Sequence, residues 1–492
     1  MVHQHHGEHT HSSPLLEYEE DDRGGYESQD DYVTRETKSV YEEASVLIRF
    51  ALPLGISHAS GQLYDITDQI ILGRLGTDFL AGAASAFIWT SLIDSVLFAT
   101  IEQLTTLCSQ AWGAGNYPLV GEWLQLWLVS SGLLAIPAMI ARWYTETILF
   151  SLFGLSETVS ALAGSYARIR QFSVPFDVVY LCSKAYLSSQ GIVSPAMNIE
   201  LIFVAINAVT AYTFVFPFEL GLEGAAIASS LTTALRAITL FLYAFVYRKF
   251  HRPTWYGFDW SVSVFNIDRW KTYFAMSVNA LGVLAEGIVW QIMSCMAARL
   301  GNAQLAAHDL SLSILGLLAV FGSGLGSAIG VRLGAALGDK RIAHAKTTYK
   351  VGISLTFFIG LILGAIEIFF GDSFATLAST DPNVLVEMKT LKPFVALVIS
   401  LQLVWWPIYE VLLKQGRAAV AGIITALCGI AFMLPIAYVC TSICDLGITG
   451  IWLGILGGYS IAMAIELWMI YSSDWAVLAK QARIRSEVQS PS

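Results

Sequence analysis

The chain has 492 residues, 55% of them apolar and only 13% charged, with a mean hydropathy of +0.59. Soluble domains carry roughly 25% charged residues, so this composition excludes a water-soluble protein divided into several cores. The net charge of −10 excludes little, because much of it comes from "EYEEDD" and "ESQDD" near the start.

Residues 1–43 contain no sustained apolar run and no signal-peptide pattern, and are expected to form a disordered cytoplasmic tail. The tail opens with His3, His5, His6, His9 and His11, a tract open either to weak metal binding or to no role beyond solvation. From there to residue 472, apolar runs of about 20 residues recur, the length that crosses a ~30 Å hydrocarbon core. Twelve membrane helices are expected, at 46–72, 80–110, 122–141, 160–186, 197–217, 224–247, 272–298, 305–335, 349–370, 387–413, 419–441 and 448–472. The fold class is all-α: a polytopic membrane protein in two pseudo-symmetric six-helix bundles. The expected domains are an N-terminal half over 44–247, a cytoplasmic linker over 248–271, a C-terminal half over 272–472 and a cytoplasmic tail over 473–492.

Basic residues in the short loops set the orientation. Arg248, Lys249, Arg252, Arg269, Lys271, Lys340, Arg341, Lys346, Lys414, Arg417, Lys480, Arg483 and Arg485 all fall on one side if both termini are cytoplasmic. The opposite loops "PFELGLEG" and "CDLGITG" contain no Lys or Arg. None of the six cysteines forms a CxxC pair, and they read as small buried hydrophobes.

An internal repeat supports the two halves. "LGTDFLA" at Leu75 returns as "LGNAQLA" at Leu300, and "SSQG" ending at Gly191 returns as "LKQG" ending at Gly416, both at an offset of 225. "LGLEGAA" at Leu220 meets "LGITGIW" at Leu446, an offset of 226. Repeats with an even number of spans are parallel, related by an axis along the membrane normal, with a central cleft between them. That cleft is expected to be lined by helices one, two, seven and eight and their neighbours.

At these residues the sequence resembles the multidrug and toxin extrusion (MATE) family, eukaryotic type, over about residues 45 to 472. "TDQIILGRLGTDFLAG", "LTTLCSQAWGAGNYPLVGEWLQ", "YLSSQGIVSPAMN" and "LGLEGAAIASSL" carry the likeness. The resemblance implies a secondary active antiporter that exports organic, often cationic, compounds in exchange for protons or sodium ions. It makes Asp68 and Glu286 the cation-coupling carboxylates and Asn207 the polar partner of Asp68. Two acidic positions of relatives are Gln291 and Gln402 here, and a third is Ala211.

The residues carry their own argument. Intramembrane acids are functional by default, because hydrocarbon penalises charge. Asp65 lies one turn before Asp68 and would tune it by hydrogen bonding. Glu286 has no Lys or Arg near it in sequence. Glu410 is open to two readings, a functional acid or an i,i+4 pair with Lys414. Asp177 could pair with Arg168 or Arg170. Trp290, Trp405, Trp406, Tyr409 and Phe176 share helices with these acids and suit flat cations. The expected cleft residues are therefore Asn207, Gln291, Trp290, Gln402, Glu410, Tyr409 and Asp177. With acids fewer than a sodium site wants, a proton is favoured over a sodium ion.

The expected partners are a small organic substrate, the coupling proton and the lipid bilayer. No cofactor, metal or nucleic acid is expected, and the protein is expected to be a monomer in the plasma or vacuolar membrane. No phosphate-binding loop points to ATP use. A lipid-linked precursor flippase shares the two-half layout but would favour extra helices and a basic cavity. A membrane enzyme would need clustered His or paired surface acids.

Overall fold

The computed structural model describes residues 33–35, 37, 39–255, 257–258, 263–379 and 381–487. The His-rich tract lies outside them, and the side chain of Asp65 is likewise not described.

The fold is all-helical, with no strand among the described residues. The membrane helices are α1 (Val40–Gly73), α2 (Thr77–Gly113), α3 (Tyr117–Trp143), α4 (Glu157–Arg170 and Val174–Ser189), α5 (Ser194–Val215) and α6 (Gly221–Tyr247). The second bundle contains α7 (Ile267–Leu300), α8 (Asn302–Gly338), α9 (Ile342–Ala378), α10 (Pro382–Lys414), α11 (Ala418–Ile443) and α12 (Ile448–Tyr471). Ten of them are long and apolar enough to cross a membrane; α1, and α4 in its two pieces, complete the twelve. A further helix, α13 (Trp475–Glu487), follows the last span.

Helix ends follow local chemistry. α1 begins six residues before its expected start because Ser39 Oγ accepts a hydrogen bond from the Glu42 amide at 3.1 Å and caps the helix. α4 is broken by a 3-10 turn at Gln171–Ser173, just before Pro175, which lacks an amide hydrogen. α11 contains two π-helical turns, Gly429–Met433 and Val439–Ile443, on either side of Pro435.

The repeat is written in the backbone. Gly76 and Gly301 have φ of 141° and 142°; Gly191 and Gly416 have 83° and 78°; Gly221 and Gly447 have 54° and 56°. Even non-glycine residues obey the pattern, since Glu219 and Asp445 have φ of 56° and 53°. Such left-handed positions are costly for residues with a Cβ, so their recurrence reflects the same turn built twice.

The halves meet most closely along α2 and α8. Gly113 lies so near Ala335 that a Cβ there would overlap the Ala335 backbone, and a Cβ at Gly338 would overlap Gln110. Higher on the seam, Gly324 of α8 lies against Gly55 of α1. The small-residue face of α8 thus brings helices together, as expected for membrane packing. It also seats longer side chains: Gly326 faces Trp406, and Gly330 faces Glu410 and Lys414.

Both chain ends cross to the opposite half on one face. Glu43 at the start of α1 forms a fully buried ion pair with Arg332 of α8 at 2.6 Å and accepts from Thr348 of α9 at 2.7 Å. Arg332 and Arg341 also donate to the Arg35 and Thr34 carbonyls, at 3.2 and 2.8 Å. From the other end, α13 reaches the N-terminal half. Arg483 donates to the Ala114 carbonyl at 2.8 Å, Arg485 to Gln110 at 3.1 Å, and Asn116 donates to the Ser486 carbonyl at 2.6 Å. Burial pulls the Arg485 guanidinium down to about 10, so it stays charged at neutral pH. Gln110 completes the join by donating to the Lys414 carbonyl at 2.8 Å.

Candidate functional site: buried charges in two bundles

In the N-terminal bundle, four helices converge on Asp68. Its carboxylate accepts from Asn207 Nδ2 of α5 at 3.1 Å, Ser229 Oγ of α6 at 2.6 Å and Tyr166 Oη of α4 at 3.5 Å. Thr232 donates to Asn207 Oδ1 at 2.7 Å, which turns the Asn207 amide group toward Asp68. The expected Asp68–Asn207 pairing is therefore present in the geometry, and Asn207 is wholly buried.

Asp68 lies on the wall of a cavity of about 600 Å³. The lining comes from α1, α2, α3, α4 and α6, and includes Asp68, Asp94, Asp177, Arg142, Arg170 and Arg236. Phe87, Ile88, Phe98, Leu72 and Leu80 supply an apolar wall. Asp94 binds the Arg142 guanidinium through both carboxylate oxygens. Asp177 accepts from Arg236 Nη2 at 3.3 Å and from Ser173 Oγ at 3.2 Å. Of the two expected partners of Asp177, Arg168 is not the one that binds it. Arg168 instead binds Glu146 at 2.9 Å, because the break in α4 turns Asp177 toward α6. The Arg236 guanidinium also stacks 4.3 Å over the Tyr180 ring. Below the cavity, Glu200 binds Lys184 at 3.1 Å and accepts from Ser57.

The C-terminal bundle is acidic and aromatic. Tyr459 of α12 donates to Glu286 Oε1 at 2.5 Å. Trp290 lies 6.2 Å from the Tyr459 ring, and Trp405 meets it edge-on at 4.9 Å. Gln402 lies against the same Tyr459 hydroxyl. Tyr409 packs on Trp405 at 5.2 Å and donates to Asn279 Oδ1 at 2.7 Å. Gln291 is half-buried, and five residues from Glu286 it points about 140° away round the helix. It therefore does not join that group. Glu410 is paired with Lys414 at 3.3 Å, both 2% exposed.

The cavity around Asp68 contains no residue of the C-terminal half. The expected cleft residues of that half, Glu410, Tyr409, Trp290 and Gln402, lie outside this cavity.

Sequence reasoning passed over Asp94, Arg142, Arg236, Glu102, Glu200 and Glu466. Glu102 of α2 reaches the Glu410 carboxyl across the seam. Glu466 is fully buried in α12 with no hydrogen-bond partner on either carboxyl oxygen. A single charged residue inside an apolar run was the available signal.

Two packed six-helix bundles around buried charged groups define a polytopic membrane transporter. A family model described as MatE matches the chain twice, over residues 53–213 and 280–439, and the chain belongs to that family. The two matches are displaced by close to the repeat period. Multidrug and toxin extrusion protein 1 of Xenopus tropicalis is 28% identical over 451 residues, covering 91% of this chain and 77% of that protein. An uncharacterized transporter of Saccharomyces cerevisiae is 25% identical over 450 residues, covering 91% of this chain; the matched region spans 64% of the yeast protein's length. The crystal structure of the eukaryotic MATE transporter AtDTX14 shares the fold, with a TM-score of 0.84 at 22% identity over 91% of this chain and 99% of that one. The family is one of transporters rather than enzymes.

Proposed function

We propose that this transporter exports organic compounds in exchange for protons, with Asp68 and Glu286 as the carboxylates that take up the proton. One observation carries the reading. Asp68 stands on a cavity wall, where it accepts hydrogen bonds from an amide and two hydroxyls and shares the wall with Arg170. The Ser229 and Tyr166 hydroxyls can turn from donating to accepting, so they can serve a charged or a protonated Asp68. Glu286 repeats the arrangement with a tyrosine hydroxyl. Asp65, one turn earlier on α1, would tune its neighbour. In the cell the protein would act as a monomer, in the plasma or vacuolar membrane, with both termini in the cytoplasm.

The experiment is dye efflux from vesicles containing the purified protein under an imposed pH gradient. Asp68→Asn and Glu286→Gln keep size and remove the titrating group, and each is expected to reduce efflux to the level of empty vesicles. Asp68-dependent efflux driven by a sodium gradient, at equal pH on both sides, would overturn the proton assignment.

A further inference from the structure

Glu466 of α12 is a buried acid that the proposed exchange leaves unused. It is 0% exposed, and neither carboxyl oxygen has a hydrogen-bond partner. The groups acting on it are Glu286 of α7, Cys428 of α11 and the Trp405 indole of α10, whose own Nε1 is buried and unpartnered. Among the described residues no Lys, Arg or His offsets its charge.

The two acids of this bundle have unlike surroundings. Glu286 is half-buried and accepts from the Tyr459 hydroxyl at 2.5 Å, a bond that supports a charged carboxylate. Glu466 has no such donor. A buried carboxyl with neither a donor nor a cation takes up a proton rather than remain an ion. Acids whose environments differ in this way divide the roles of proton holder and charged base. One proton shared between the two therefore belongs on Glu466.

Position adds a direction. Tyr459 and Glu466 stand on one face of α12, two turns and about 10 Å apart along its axis. Glu466 is also about 7 Å from the end of α12 at Tyr471, the end that leads into α13. It thus lies between the Glu286–Tyr459 pair and the face that the proposed orientation puts in the cytoplasm.

We infer that Glu466 is a second proton carrier of the C-terminal half, receiving the proton that Glu286 takes up and releasing it at the cytoplasmic end. The inference rests on the proton-exchange reading and adds a residue to it. The transfer balances. Water that enters when the cytoplasmic end opens removes the proton from Glu466 and leaves a carboxylate. The proton of Glu286 then passes to a Glu466 oxygen, and the negative charge moves to Glu286, where Tyr459 donates to it.

Three measurements on the full-length protein test it. In lipid nanodiscs at neutral pH, infrared spectroscopy reads the carbonyl stretch of protonated carboxyl groups, and Glu466→Gln is expected to remove one component of that band. In vesicles, the same substitution should slow efflux driven by a pH gradient about tenfold or more. Its melting temperature should stay level or rise, because the side chain has no hydrogen bond to lose. An unchanged infrared band, efflux at the rate of the unmodified protein, or a sharp fall in melting temperature would overturn the inference. Loss of the band component in a protein whose efflux ignores the pH gradient would instead sink the proton-exchange reading and leave Glu466 standing as a buried proton-binding acid.

Discussion

Arg332 and Glu43 illustrate how much a single residue pair can carry in this protein. Both are fully buried, and Arg332 additionally holds the Arg35 carbonyl and contacts His344. Removing one member strands the other charge in a dry interior, at a cost of about 3–5 kcal/mol. Arg332→Gln is thus expected to lower the melting temperature of the detergent-solubilised protein markedly. A change of Arg341, which lies nearer the surface, should cost far less. If the two substitutions melt alike, the buried pair does not hold the first helix to the second half. At this scale the sequence was legible in part. Asp68, Asn207 and Glu286 stood out because each interrupts an apolar run and matches a family position. Arg142 did not, because it sits in the last turn of α3, where a basic residue reads as an interfacial anchor. Its partner Asp94 is 48 residues away, and no local spacing links the two.

Among the elements, the helices themselves were the most legible feature, since their apolar runs match the bilayer thickness. Their interruptions were less so. The break in α4 places Arg170 before a 3-10 turn and Asp177 after it, and this decides which residues face the cavity. Pro175 marked the region, but a proline near a helix start and one at a kink look alike in sequence. The packing of α2 on α8 makes a sharper prediction. Gly113→Leu would drive a side chain into the Ala335 backbone. The seam must then part, at a cost of about 1–3 kcal/mol or more. Hydrogen exchange at residues 106–114 should rise well above that of the unmodified protein. Unchanged protection would mean that the close approach contributes nothing to holding the two bundles shut.

For the whole molecule, the ends of the chain matter more than their composition suggested. The C-terminal segment was expected only as a tail, yet α13 stacks Trp475 on Tyr349 at 5.1 Å and sends Arg483 and Arg485 to the opposite half. Polar, short and weakly amphipathic, it had no pattern that announces a docked helix. Ending the chain after Ser473 should loosen the face where α2 and α8 meet, and cysteines introduced across that seam should cross-link more slowly. Equal cross-linking rates would show that α13 is passive.

The contact between Gly113 and Ala335 has a twin, Gly338 against Gln110, and the members of each pair exchange places under the repeat. That reciprocity, residue i on j and its counterpart j on i, is the signature of an isologous dimer interface. This single chain therefore contains the interface of a two-fold homodimer whose subunits have been spliced end to end. The buried acids have since parted company: Asp68 and Glu286 are not counterparts, so each subunit has kept the shared contact while acquiring a different chemistry. An ancestor of half the length would have paired with itself through these glycines. Alanine at Gly113 and alanine at Gly338 should accordingly weaken the protein by similar amounts, as two copies of one dimer mutation.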